Sequence, residues 1–343
     1  MATSSWNAGI IRPVPVPPAG PYDTGAAPGV WTLDQVAFWQ KQGLWPIAGN
    51  VAPRAINNSG STSADQYSYF SMGSAGSATT FGNLLYARSQ FAGLSSATRG
   101  VFSGGSGSGV SNMEYITIMT TGNGTSFGSL GASYFQYSGA ANSTTGIWFL
   151  ANQTSMTSQI SYITIATTGS STYFGDSLNL IRGSGAGANS TRALCALGLV
   201  DGVGQVNTVQ YVTIATTGNA STFGQLTTAE RYKTAGFSSS TQVFFAGGGG
   251  STGSGFNVID YFTVATTGNA TSFGSLNTGL NSPAATSSSV YGYVMGGFSS
   301  TTGTPTNSIQ YITMSSSGNS SSWGSLMSAQ YENEACSSAH GGI

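Results

Sequence analysis

Apolar and polar positions alternate along most of this chain, in short runs broken by Gly, Ser, Thr and Asn. In "YVTIATTGNASTFG", residues 211–224, Tyr, Val, Thr and Ile alternate as in a pleated strand with two differently exposed faces. Gly-Asn tolerates positive φ and predicts a reversal, with "STFG" returning as the second arm of a hairpin. The phrase opens on Tyr69, Tyr115, Tyr162, Tyr211, Tyr261 and Tyr311, at intervals of 46, 47, 49, 50 and 50 residues. An aromatic follows each tyrosine twelve residues later, at Phe81, Phe127, Phe174, Phe223, Phe273 and Trp323. A glycine comes directly after each of these aromatics, and another lies seven residues after each tyrosine. Six copies share one frame.

A second pattern lies between these hairpins, in which a small-residue stretch, a Ser/Thr turn and an apolar run close on glycine. Examples are "AGLSSATRGVFSGG" at 92–105 and "AGFSSSTQVFFAGG" at 235–248. Two hairpins make a four-stranded unit too thin to bury its own faces, so units must stack on one another. Four-stranded units at this period predict propeller blades. The small-residue strands, near 92, 138, 185, 235, 284 and 334, would be innermost, where only Ala, Gly and Ser fit. The last of them, "ENEACSSAH", has no hairpin after it, and the hairpin at 69–82 has no small-residue strand before it. The fold expected is all-β, a six-bladed β-propeller closed by its N- and C-terminal segments. "LWPIAGN" at 44–50 would be the second strand of the first blade, although Pro46 cannot donate to a ladder.

Residues 1–43 read differently from the propeller at 44–343. The prolines of "IIRPVPVPPAGPYDTGAAPG" favour an extended arm without internal hydrogen bonds. Thr32 as N-cap, Gln35 in the capping-box position and Gly43 as terminator predict a short helix at 33–42. Val36 and Trp39, with Phe38, would form its apolar side. Such an arm suits docking along a neighbouring subunit, with Trp6, Pro13, Pro15, Trp31, Val36 and Trp39 as the anchoring residues.

Charge and composition narrow the chemistry. Charged residues make up 6% of the 343, the net charge is -1, and 11% are aromatic, which argues for folding and against binding of nucleic acid or insertion into membrane. "MATSSWNAGIIRPVPVPP" lacks the basic start and apolar core of a signal peptide, which points to synthesis in a cytoplasm. Cys195 and Cys336 have no metal or disulfide spacing and read as small buried side chains. His340 is the one histidine, so no multi-histidine metal site exists, and no cofactor is expected. Glu332 and Glu334 form the one close acidic pair, which is too little for glycosidase chemistry. The loops entering the inner strands carry aromatics near Arg, Gln and Asn: Tyr86, Arg88, Tyr134, Tyr137, Arg182, Arg231, Tyr232 and Tyr331. These residues suit stacking on a sugar and bonding its hydroxyls. Satisfaction of carbonyls at blade junctions is the reading these positions favour over a sugar site.

The order of small strand, apolar strand with diglycine, tyrosine strand, turn and aromatic resembles the kelch-type β-propeller across 44–343. "VFSGG", "VFFAGG" and "YVMGG" carry the diglycine, and "IWFLAN" and "ALCALGLVDG" depart from it. The "YITIATTGNATSFGSL" style of phrase, together with "APGVWTLDQVAFWQKQGLWP" at 27–46, resembles virion structural proteins of marine bacteriophages, including phages of cyanobacteria. That resemblance implies a noncatalytic virion protein made in the host bacterial cytoplasm. It would be a capsid or tail decoration or fibre component, joined to other virion proteins by its N-terminal arm. A receptor-binding module for host-surface carbohydrate is the alternative. A sialidase-like enzyme stands further off, because its turn aspartate is missing from "TTGNATSFG".

Overall fold

The computed structural model describes residues 5–6, 9–10, 32–41, 52–58, 60, 65–107, 110–151, 157–229, 231–250 and 255–343. The chain divides into two units, Met1–Pro53 and Arg54–Ile343. In the first unit, Ser5–Trp6 pairs antiparallel with Gly9–Ile10, and a helix spans Leu33–Lys41. Its first turn is a reciprocal capping box: Thr32 N–H donates to Gln35 Oε1 at 2.9 Å, and Gln35 N–H donates to Thr32 Oγ1 at 3.3 Å. Val36 is half-buried and Phe38 exposed. Pro13, Pro15, Trp31 and the expected polyproline stretch lie outside the described residues, as does "LWPIAGN".

The second unit is all-β and propeller-like. Its described residues build five antiparallel sheets of four strands, and a sixth that adds the short strand Phe298–Ser299 to the same four. The sheet that contains the first tyrosine hairpin runs Ala335–Ser337, Arg54–Asn58, Gln66–Ser71, Thr79–Asn83, so the C-terminal strand completes it. Its second strand is Arg54–Asn58 rather than 44–50. The proline-free segment can donate at each position, and Ala55 and Ile56 are fully buried. The innermost strand of each sheet lies beside that of the next, and Ala335–Ser337 lies between Ala284–Ser287 and Ala92–Ser95.

Each repeat tyrosine meets its aromatic edge to face within one hairpin, from Tyr211–Phe223 at 5.5 Å to Tyr115–Phe127 at 6.1 Å, and Tyr311–Trp323 closes to 5.0 Å. Three of these tyrosines also carry a guanidinium: Arg54 over Tyr69, Arg99 over Tyr115 and Arg192 over Tyr211. The same arginines donate to carbonyls of a following sheet, at Met119, Ile165 and Val264.

The two repeat glycines have different duties from those the hairpin pattern predicts. Those seven residues after the tyrosines do not take positive φ, and a Cβ on Gly218 would meet nothing within 4 Å. The glycines after the aromatics are the constrained ones. A Cβ on Gly82, Gly128, Gly175, Gly224, Gly274 or Gly324 would stand 1.9–2.1 Å from a carbonyl oxygen of the neighbouring turn. Backbone contact explains this closeness. Gly268 N–H donates to Phe223 O at 2.9 Å and Ala270 N–H to Gln225 O at 2.9 Å, and Asn269 Oδ1 accepts from Gln225 N–H at 3.1 Å. The corresponding contact from the last hairpin to the first is Ala78 N–H to Ser325 O at 2.8 Å. The diglycines, by contrast, do adopt positive φ: 67° and 100° at Gly104 and Gly105, 63° and 99° at Gly247 and Gly248.

Candidate functional site

The residue before each repeat tyrosine is polar and buried: Ser68, Glu114, Ser161, Gln210, Asp260 and Gln310. Four of them accept a hydrogen bond from the residue four places past the aromatic of the preceding hairpin. Leu85 N–H donates to Glu114 at 2.9 Å, Leu178 N–H to Gln210 at 2.8 Å, Asn277 N–H to Gln310 at 2.8 Å, and the Thr227 hydroxyl to Asp260 at 2.6 Å. The position therefore fastens one sheet to the previous one. Where it is a carboxylate, an arginine from the loop entering the inner strand joins it. Arg88 lies 3.5 Å from Glu114, and Arg231 pairs with Asp260, all four side chains fully buried.

These arginines also close the diglycine corners. Arg88 donates to the carbonyls of Gly104 and Asn112, and Arg231 to those of Gly247 and Phe245. Burial pulls the Arg231 guanidinium down to about 10, and Asp260 opposes that shift. Tyr67 donates to Glu114, and burial together with that carboxylate raises its pKa well above the usual phenol value.

Several residues expected to face a sugar are thus held inside the scaffold. Arg88, Tyr134, Tyr137 and Arg231 are buried, and the Tyr137 hydroxyl lies 2.7 Å from Ser103 Oγ. Tyr86, Arg182, Tyr232 and Tyr331 are half-buried. Tyr331 packs edge to face on Phe298, and the Tyr232 hydroxyl donates to Gln136 Oε1 at 2.8 Å. Arg182 forms no ion pair among the described residues, and its Nε is buried without a partner.

At the same end of the inner strands stands a set of residues that the sequence pattern does not single out. Gln90, Gln136, Gly183, Lys233, Ser282 and Glu332 occupy equivalent positions, each with φ between 55° and 62°. Left-handed backbone costs a residue with a Cβ roughly 1–2 kcal/mol, so neighbours must hold it. Here the holding bonds run from one to the next. Gln136 N–H donates to Gln90 O, Gly183 N–H to Gln136 O, Lys233 N–H to Gly183 O, Gln90 N–H to Glu332 O and Glu332 N–H to Ser282 O. Above this rim Lys233 pairs with Glu332, so the close acidic pair Glu332 and Glu334 is not two free carboxylates. No shared residue type marks the rim in sequence, because the backbone supplies its bonds.

Inside the rim lies a pocket of about 70 Å³, and beyond it a cavity of about 80 Å³ bordered by all six inner strands. Hydroxyls line the far end. Ser95 donates to Ser337 O, Ser337 to Ser287 O, Ser287 to Ser238 O and Ser238 to Ala188 O, at 2.6–2.7 Å. The C-terminal residues cross this end: His340 Nε2 lies 2.7 Å from Ser95 O, and Gly341 N–H donates to Ser238 O. Gly342 N–H donates to His340 Nδ1 at 3.1 Å, which assigns the imidazole proton to Nε2. No protein-family model matches the chain, and no curated protein matches it.

Burial lowers the His340 pKa to about 4, and the hydrogen bond with Ser95 opposes that shift. With the folded value depressed, the unfolded chain binds more protons below about pH 6.5, and stability falls as pH drops toward 4. We expect urea midpoints to decline over that window in the wild type, and His340→Asn to flatten this part of the decline.

Among the described residues no group of three or more His, Cys, Asp or Glu is placed to hold a metal. No helix among them is long and apolar enough to cross a membrane. Both cysteines are free and buried, and burial pushes the Cys195 thiol up to about 12.

Proposed function

We propose that this chain is a noncatalytic structural protein of a phage particle, in which residues 1–53 anchor a six-bladed, kelch-like propeller displayed outward. The observation that carries the reading is how the first sheet is completed. Its innermost strand is the C-terminal Ala335–Ser337, and all strands of the six sheets come from Arg54–Ile343. The contact from Ala78 to Ser325 and the run of neighbouring inner strands support closure into one ring. A ring that supplies its own closing strand leaves the N-terminal unit available to other virion proteins. The noncatalytic reading rests on the polar side chains, since the buried arginines and carboxylates are engaged in fastening sheets.

Removing residues 1–53 tests the assignment. The shortened chain keeps the β-rich circular dichroism of the sheet unit, and its incorporation into particles falls at least about ten-fold. Equal incorporation of the shortened and full chains would overturn it.

A second reading, recognition of host-surface carbohydrate, is favoured by Arg182, whose guanidinium has no carboxylate partner among the described residues and lies next to Tyr232. Loss of cell binding in Arg182→Ala with unchanged particle incorporation would select it.

A further inference from the structure

One inner-strand position is held by small residues in five sheets and by a glutamate in the sixth. Counting back from the hydroxyl-bearing ends, Glu334 is equivalent to Ala92, Ser138, Gly185, Ala235 and Ala284. Five of these positions carry at most a methyl or hydroxymethyl group, and the sixth carries a carboxyl group whose chain lies against Gly93 of the neighbouring inner strand. The backbone at Glu334 is ordinary: its N–H donates to Asn58 Oδ1 at 2.8 Å, and its carbonyl accepts from Asn58 N–H at 3.2 Å. Strand pairing is served by any residue here, so it does not explain the side chain.

Nor does an ion pair explain it. Among the described residues the carboxylates in ion pairs are Glu114, Asp260 and Glu332, and Lys233, the cation at the rim, is taken by Glu332. Glu334 borders both the rim pocket and the axial cavity, so it stands where the two meet. Beside it Asn333 is 4% exposed and borders the rim pocket, and its Oδ1 has no hydrogen-bond partner. Ser138 and Ser184, whose hydroxyls lie 2.9 Å apart, also border the cavity. The junction therefore carries oxygen acceptors, and Lys233, the cation bordering the rim pocket, is paired with Glu332. Glu334 is half-buried, and a carboxylate partly withdrawn from bulk water without its own counter-charge is disfavoured.

We propose that the junction at Glu334 is a binding site for one small monovalent cation, an alkali-metal ion or a primary ammonium group. The cavity volumes admit an ion with a few waters and exclude a bulky quaternary ammonium. The cation competes with a proton for the same carboxyl. Burial raises the Glu334 pKa to about 8, so proton occupancy dominates in acid and cation occupancy in base. The other titratable groups facing the cavity system are Tyr137 and Cys336, both raised by burial, His340 at the far end, and the Lys233–Glu332 pair at the rim. Burial keeps Tyr137, Cys336 and His340 neutral between pH 7 and pH 9.

The test is thermal unfolding of the full chain at pH 9 and at pH 5.5 in chlorides of equal ionic strength: sodium, potassium, methylammonium and tetramethylammonium. A ligand that binds only the folded state raises the midpoint. At pH 9 the expected result is a midpoint about 2 °C or more higher in at least one small cation than in tetramethylammonium. At pH 5.5 the difference vanishes. Glu334→Gln copies the protonated carboxyl and folds, with a midpoint that no longer distinguishes the salts at pH 9. The larger rise among sodium, potassium and methylammonium identifies the alkali-metal or ammonium source. Equal wild-type midpoints in all four salts at pH 9, or an undiminished small-cation rise in Glu334→Gln, would overturn the proposal.

Discussion

Gly224→Ala lowers the stability of the sheet unit by about 3 kcal/mol, at the upper end of ordinary overpacking costs. The new methyl would lie 1.9 Å from Gly268 O and 2.5 Å from its carbonyl carbon, so no rotamer change relieves the clash. Separation of the sheets would stretch two backbone bonds, Gly268 to Phe223 and Ala270 to Gln225, together with the Asn269 contact to Gln225. Gly218→Ala is the internal control. It adds the same methyl six residues earlier in the same phrase, into open space and without positive φ. Its effect stays within about 0.5 kcal/mol of zero. Urea midpoints of the two variants check the contrast, and similar losses in both would remove the close-approach explanation of the Phe-Gly step.

Arg231→Ala costs about 3–5 kcal/mol, the penalty of leaving one member of a buried ion pair without its partner. Asp260 would keep the Thr227 hydroxyl and Val258 O the Gly247 N–H, but the carbonyls of Gly247, Phe245 and Val258 would each lose the bond from Arg231. Arg192→Ala removes the same side chain at a half-buried place, where it lies over Tyr211 and donates to Val264 and Ala265. Its loss is about 1 kcal/mol. Guanidinium chloride unfolding, with circular dichroism to confirm a native baseline, measures both. A loss under about 1 kcal/mol for Arg231→Ala would show that the buried pair does not hold the diglycine corner of its sheet.

The hairpin frame was legible because its residues repeat: Tyr, twelve places, an aromatic, then Gly. All six tyrosine–aromatic contacts sit in those hairpins. The capping box at Thr32 and Gln35 was legible from local chemistry alone. The reason for the glycine after each aromatic was hidden, since the carbonyl that excludes a Cβ belongs to a turn forty or more residues away. The fastening position before each tyrosine was hidden differently. It varies among Ser, Glu, Gln and Asp, and the common property is polarity within an apolar strand.

The candidate sugar residues show the same limit. Arg88 and Arg231 do donate to backbone carbonyls, one of their two sequence readings, but nothing in sequence joins them to Glu114 and Asp260, residues of the next strand pair. The strand Arg54–Asn58 carries no diglycine of the kind that marks the second strand in three other sheets, and neither does "LWPIAGN", so nothing local separated the two. The rim of left-handed residues had no side-chain signature to find.

The most direct test of the proposed virion role is cryo-electron microscopy of purified particles, with mass spectrometry to establish that they contain this chain. The account predicts a compact six-sheeted density on the capsid or tail, joined to neighbouring virion proteins through residues 1–53. Particles that are complete and infectious but contain no copy of the chain would contradict it.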